Sequence, residues 1–360
     1  MNKKISGGEV LCIIIYMIAV SFFSVINTTT LKISGNATLI AFLMGMVLGI
    51  IPVLMIMFIS KKIDTSFLTF LKNKFSIFGY IIMFILISLT AYLVFIFSFI
   101  FLDFVIGQFL TETSYYFISI SLFLFVFYCV NKGIEVISRT TFVLFVFSFI
   151  IFIFFLITLI PYADINNLKP YIDSSTHNIL KSAFITTSMS SFPIILILNI
   201  KKNVSNSKTF PRKIFFGYII SMLLMFLFLL FTILIYGIDF AKILTYPSYS
   251  LFKKVEIFGF IERIENIVSL IFFAGFYVIF IYYVYFIKDN ISEMFKIANK
   301  YKNDALTFVI SLGISTLSVY LFKNFEITFL INNAYYIVLI YFLILLIIFI
   351  RCLFIKKTPS

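Results

Sequence analysis

The residues of this chain that could do chemistry are few, and most of them are hydroxyls. TTSMSSFP, residues 186–193, crowds Thr187, Ser188, Ser190 and Ser191 together just ahead of Pro193. Clustered hydroxyls compete with a helix for its backbone hydrogen bonds, and a proline removes a backbone donor. The stretch therefore predicts a helix break whose freed N–H and C=O groups could hold a small solute. A second candidate break is Ala19-Val20-Ser21, the cluster of smallest side chains in the first apolar run. Both stretches also fit a plainer reading, because serine and threonine line ordinary helix contacts in membranes and a proline can merely kink a helix. The remaining inventory argues against catalysis. There is one histidine, His177, and three cysteines, Cys12, Cys129 and Cys352, with no paired spacing. That pattern supports neither a metal cluster nor a disulfide framework. No phosphate loop and no Ser/His/Asp set is present, so no enzyme activity, cofactor or metal is expected.

The elements that must position these groups follow from composition. Of the 360 residues, 62% are hydrophobic and 12% charged, against about 25% charged in a soluble domain. The lipid bilayer must be the solvent. The net charge of +13 does not point to nucleic acid, because the basic residues form no domain or stripe and sit in the gaps between apolar runs. Ten runs are long enough to span, at roughly 10–30, 37–59, 77–102, 115–130, 140–160, 179–199, 214–237, 266–287, 305–321 and 333–355. The first is read as a span and not as a cleaved signal, since it is long and no small-residue cleavage site precedes polar sequence. With the N-terminus in the cytoplasm, 20 of the 28 Lys and Arg fall in inside segments, whereas 9 of the 15 acidic residues fall outside. Both termini are thus expected in the cytoplasm.

The expected fold class is an all-α integral membrane protein of ten transmembrane helices. Ten spans divide as five plus five, and an odd number per half inverts the second half. That is the arithmetic of an inverted repeat of the LeuT or amino-acid-permease type. Residues 1–360 form one membrane domain on this reading, with half one at about 5–162 and half two at about 175–357. In this architecture the first helix of each half is interrupted, which places the breaks at 19–21 and 186–193. Inward-facing groups of spans three and eight, Tyr92 and Leu93 and then Tyr277 and Tyr283, would complete a pocket. Each tyrosine could equally be packing, since the chain has 21 of them. Ionisable groups are scarce within the spans: span five, TTFVLFVFSFIIFIFFLITLI, has none. Intramembrane charges usually mark proton or ion relays, so their scarcity weighs against a proton-coupled pump.

One stretch breaks the apolar pattern. TYPSYSLFKKVEIFGFIERIEN, residues 245–266, carries six charges between two long apolar runs. Tyr249, Phe252, Val255 and Ile257 can share a face, with Lys253, Lys254 and Glu256 turned away, and Gly259 divides the segment. It is expected to lie outside, over residues 245–265, either capping the pathway or resting in the headgroups.

Three motifs carry a family resemblance. NKGIEVISR (131–139), ADINNLKP (163–170) and YPSYSLFKKVEIFGFIERIEN (246–266) together resemble the B subunits of spore germinant receptors, the GerAB-type endospore germination permeases. The resemblance covers essentially the whole chain. It implies a membrane subunit in the spore inner membrane that senses a small nutrient, an amino acid or similar, beside an A subunit and a C lipoprotein subunit. Glu262, Arg263 and Glu265 match the Glu-Arg-x-Glu of the family and are read as gating or subunit-coupling residues, with a solvated ion pair as the plainer reading. The chain departs from the family at the breaks, where Ala19-Val20-Ser21 and SSFPI stand in place of glycines, and Phe272 replaces a tryptophan. A stand-alone amino-acid transporter is the rival reading. Replacing Arg263 with alanine is expected to abolish nutrient-triggered germination while the protein still accumulates in the membrane; normal germination of that strain would remove the coupling role.

Overall fold

The computed structural model describes residues 4–22, 27–254, 265–324 and 327–354. Among them the chain is helical, with no strand and a single parallel bridge between Ile5 and Val204. The helices are α1 (Gly7–Ser21), α2 (Asn27–Ser34), α3 (Thr38–Lys62), α4 (Phe67–Phe75), α5 (Ile77–Gln108), α6 (Tyr115–Lys132) and α7 (Ile134–Leu159). They continue as α8 (Thr176–Leu196), α9 (Phe210–Ile243), α10 (Pro247–Ser250), α11 (Glu265–Met294), α12 (Lys300–Asn324) and α13 (Ile327–Leu353). Eight helical stretches of the described residues are long and apolar enough to cross a bilayer, and two shorter apolar helices, Gly7–Ser21 and Leu339–Leu353, lie near the ends. This is a multi-pass membrane protein.

Several elements differ from the sequence expectation. The polar gap after the first apolar run is not a loop: α2 passes through the 3-10 turn Gly35–Ala37 directly into α3. Residues 19–21 are helical, with Phe22 still in helical conformation. Residues 186–193 are not a break either. α8 runs through them and through Pro193, tightening into a 3-10 helix only at Ile197–Asn203. The reason is that the hydroxyls bond back into their own helix. Thr187, Ser188 and Ser190 donate to the carbonyls of Ala183 (2.9 Å), Phe184 (2.6 Å) and Thr186 (2.8 Å). With no water in the hydrocarbon region, the helix's own carbonyls are the nearest acceptors.

α8 packs hard against α3. A Cβ at Gly45 would fall 2.6 Å from Thr186 Cβ and 2.7 Å from the Ala183 carbonyl oxygen, and Thr187 also donates to the Gly45 carbonyl at 3.0 Å. Small residues let the two backbones approach, as is usual in membranes. The N-terminal segment is pinned to the far end of α8: Ile5 N–H donates to the Asn203 carbonyl and Ser205 N–H to the Ile5 carbonyl, both at 2.9 Å. α1 then starts on a capping box formed by Ser6 and Glu9.

The true interruption in α9 is at Gly237, with φ 66° and ψ 166°. The carbonyl of Leu234, to which residue 238 would donate in an unbroken helix, accepts from two groups of the 163–170 motif. Asp164 N–H reaches it at 2.9 Å and Asn167 Nδ2 at 2.8 Å. The motif is thus a plug for an exposed helix bond. Gly133, between α6 and α7, has φ 89° and ψ 167°. Both glycines occupy a backbone region that is essentially closed to other residues, at a cost of about 1–3 kcal/mol. Gly237→Ala and Gly133→Ala should each lower the melting temperature of the purified protein, although neither Cβ meets a clash. Unchanged melting of both would show that these backbone angles are not required.

Candidate functional site

Inside the bundle α1 runs to Ser21, 3% exposed, and α2 begins at Asn27, 2% exposed, with residues 23–26 outside the described residues. Asn27 Nδ2 donates to Ser248 Oγ at 3.2 Å, and among the described residues its carboxamide oxygen has no partner. Thr28 Oγ1 donates to the Thr245 carbonyl at 3.3 Å. Residues 245–254, comprising α10 and the 3-10 turn Leu251–Lys254, are thereby fastened over the start of α2.

This covering segment faces inward through aromatics. Tyr249 and Phe252 are buried; Val255, Glu256, Ile257 and Gly259 fall outside the described residues, and nothing is described of the Lys253 and Lys254 side chains. Phe104 of α5 is the hub: its ring lies 5.1 Å from those of Tyr246, Tyr249 and Phe272, edge-on to the two tyrosines and stacked on Phe272 at 17°. Phe252 sits 5.0 Å from Phe155 and 5.9 Å from Phe228. Edge-to-face and offset pairs contribute about 0.5–1.5 kcal/mol each beyond simple burial. A polar latch completes the cover. Tyr246 Oη donates to Asp103 Oδ2 at 2.5 Å, and Tyr236 Oη donates to the Ser250 carbonyl at 2.5 Å. Burial, and then the Asp103 carboxylate, push the Tyr246 phenol well above its ordinary value, so the hydroxyl keeps its proton.

Beneath the cover lies an apolar cavity of about 60 Å³ between α1, α7, α9 and α11. Ile15, Tyr16, Ala19 and Val20 form its α1 wall, facing Ile271, Phe272, Gly275 and Phe276 of α11. Tyr16 Oη and Ser148 Oγ bond each other at 2.7 Å. Gly275 is required for closeness, since a Cβ there would fall 2.7 Å from a Val20 methyl.

At the opposite end of the bundle, charged groups tie the helix ends together. Lys201 is 7% exposed, and its Nζ donates to the carbonyls of Ser60, at 2.5 Å, and Ile63, at the end of α3. A cation is favourable at a helix C-terminus. Lys202 pairs with Asp289 at 3.4 Å, Asn199 Nδ2 donates to Asp289 at 3.0 Å, and Glu293 accepts from Ser66 and from Thr69 (2.6 Å) at the start of α4. Both ends of the bundle are therefore closed over the cavity.

The predicted site residues scatter. Ala19 and Val20 line the cavity. Ser21 does not; its hydroxyl donates to the Met17 carbonyl at 3.2 Å. Thr187, Ser188, Ser190 and Ser191 lie outside the lining, in the α8 hydrogen bonds. Leu93 is buried and Tyr92 half-buried on α5, again outside it. Tyr277 Oη meets Cys129 Sγ at 2.7 Å, whereas Tyr283 is fully buried with its hydroxyl unpartnered among the described residues. Glu262 and Arg263 fall outside the described residues. Glu265 begins α11, and nothing is described of its side chain. Sequence reading missed Tyr16, Ser148, Gly275 and Asn27. The small residue in FFAGF was the available signal for Gly275; nothing local marked Tyr16 or Ser148, which lie 132 positions apart. Among the described residues no group of three or more His, Cys, Asp or Glu could hold a metal ion.

Comparison with known proteins adds the following. The model of the family described as "Spore germination protein" matches residues 4–327. Spore germination protein A2 of Bacillus subtilis (strain 168) is 28% identical over 141 residues, covering 38% of each chain. Spore germination protein KB of the same organism is 26% identical over 202 residues, 55% of this chain and 53% of the relative. The matched stretches thus span about half or less of these relatives. The crystal structure of MhsT in complex with L-phenylalanine shares the fold, with a TM-score of 0.62 at 14% identity over 88% of this chain and 79% of that one.

Tyr246→Phe removes the donor to Asp103, a bond to a carboxyl group that contributes about 1.5–3 kcal/mol. Purified Tyr246→Phe is expected to melt lower than the parent. A tyrosine whose phenol is raised in the folded state adds stability that is complete below its unfolded value of about 10 and is lost above it. The stability difference between parent and variant should therefore stay constant up to about pH 10 and shrink at higher pH. A difference that changes across neutral pH would locate the latch elsewhere.

Proposed function

We propose, from the premise that this chain belongs to the spore germination protein family, that it is the permease-like membrane subunit of a germinant receptor. A small nutrient, an amino acid in this reading, binds beside Asn27 at the described start of α2, beneath residues 245–254. The observation that carries the reading is Asn27: a buried carboxamide, with its oxygen unpartnered among the described residues and its nitrogen tied to the covering segment. An ammonium group suits that oxygen and the carbonyls of a helix end, and a carboxylate suits the N–H groups of a helix start. The fold shared with MhsT, which was solved holding L-phenylalanine, is consistent with that ligand class. Nutrient shifts the protein between states only by binding one of them more tightly. The closures at the two ends of the bundle are the contacts that would differ between those states.

On this reading the chain is one membrane domain of two five-span halves, with both termini in the cytoplasm. It sits in the spore inner membrane with an A subunit and a C lipoprotein subunit, which carry the signal onward. The shared fold also favours a second reading, a stand-alone amino-acid transporter. One experiment separates them. In a strain lacking only this gene, germination is scored against a panel of amino acids, beside uptake of the same labelled compounds by vegetative cells. Loss of response to one nutrient with uptake intact is expected; loss of uptake with germination intact would make the protein a transporter. Asn27→Ala should raise the nutrient concentration needed for half-maximal response about 10-fold, equivalent to one buried hydrogen bond of ~1.4 kcal/mol. An unchanged dose response with normal protein level would move the site away from Asn27.

A further inference from the structure

The apolar cavity and the proposed nutrient site adjoin at the end of α1, but their chemistry differs. Of the fifteen residues lining the cavity only Tyr16 and Ser148 carry a hydroxyl, and these two bond each other at 2.7 Å. An ammonium or carboxylate group buried there would lack partners and cost several kcal/mol, on the order of 2–7 even for a neutral polar group. A trapped water needs 2–4 polar partners, which the lining does not offer.

The cavity is also closed and open in telling places. Toward residues 245–254 it is shut by aromatics: Phe152 meets Phe228 at 4.7 Å, Phe228 meets Phe252 at 5.9 Å, and Phe272 stacks on Phe104 at 5.1 Å. Its flank is different. Phe149 lines the cavity and is 39% exposed, on a face of α7 shared with exposed Val146, Ile150 and Ile153. Across from it Leu224 of α9 is half-buried beside exposed Leu223. Both helices lie in stretches apolar enough to span the bilayer. The mouth between Phe149 and Leu224 thus faces hydrocarbon.

We propose that this cavity is a lateral lipid site, taking the last carbons of a phospholipid acyl chain that enters between α7 and α9 and rests against Ala19 and Val20. No hydrophobic gain separates a lipid tail from an apolar wall inside a bilayer. The attraction is the dispersion energy that an empty space forfeits. An acyl chain fills it without dehydrating a polar group, and once in place it braces α1 at Ala19 and Val20. Movement of α1 then requires the chain to leave, so lipid composition acts on the same helix as the nutrient.

The chain has no tryptophan, so a single introduced tryptophan reports alone. Phe152→Trp places it on the inner wall, Phe147→Trp on the exposed face of the same helix, and Phe104→Trp outside the lining, shielded from the cavity by the ring of Phe272. Each full-length variant is reconstituted in phosphatidylcholine vesicles with or without mid-chain bromine atoms. Quenching of the Phe152→Trp protein close to that of Phe147→Trp, and several-fold above that of Phe104→Trp, is expected. Adding Ala19→Leu to fill the cavity should reduce quenching at 152 to the Phe104→Trp level while leaving quenching at 147 intact. If Phe152→Trp does not accumulate, Phe276→Trp on the opposite wall gives the same reading. Quenching no stronger than in Phe104→Trp overturns the proposal. So does quenching at 152 that Ala19→Leu leaves intact, which would place the bromines outside the cavity.

Discussion

Everything in this structure is subject to one rule of the hydrocarbon environment: a backbone polar group that leaves its helical bond must find another partner within the protein. The carbonyl of Leu234 shows the rule at work. Gly237 turns the chain out of the helix, and Asp164 and Asn167 arrive from a different loop to take the freed oxygen. The hydroxyls of α8 obey it in the opposite way, spending their donors on carbonyls of their own turn and so keeping the helix whole across Pro193. A few buried polar atoms, the Asn27 carboxamide oxygen among them, have no partner among the described residues.

The same rule sorts the interactions along the length of the bundle. Charged and strongly hydrogen-bonded ties gather near the two ends, Lys201, Lys202, Asp289 and Glu293 at one and Asp103 with Tyr246 at the other. Between them most contacts are aromatic and aliphatic, with isolated hydroxyl bonds such as Tyr16 to Ser148 and Thr187 to the Gly45 carbonyl. Apolar surfaces in lipid exchange at little cost, since a lipid tail replaces a side chain nearly evenly, whereas the end ties are discrete and directional.

The motifs that carried the family resemblance have structural explanations that do not compete with function. ADINNLKP stoppers an interrupted helix, the glycine of NKGIEVISR adopts backbone angles closed to other residues, and YPSYSLFKK folds its aromatic face onto the bundle. The site residues inferred from hydroxyl clustering fared differently. Ala19 and Val20 line a cavity, whereas the α8 hydroxyls serve the packing of α8 on α3. A cluster of serines and threonines reads the same in both cases, because the spare acceptor that decides between them, a helical carbonyl four residues back, is present in every helix.

Periodicity and composition were enough to establish a helical membrane protein and to locate most of its long apolar helices, because long apolar runs and the charges that punctuate them are properties of the chain read in order. The kink at Gly237 was not legible that way. A helix break depends on whether a partner elsewhere can satisfy the freed groups, and that partner may be 67 positions away, as Asn167 is from Leu234. The cavity is the extreme case. Tyr16, Ser148, Leu224 and Gly275 belong to four helices and share no local signal. They meet because α1 is held between α7, α9 and α11, and only the packing of those helices decides which apolar side chains touch one another and which leave a space.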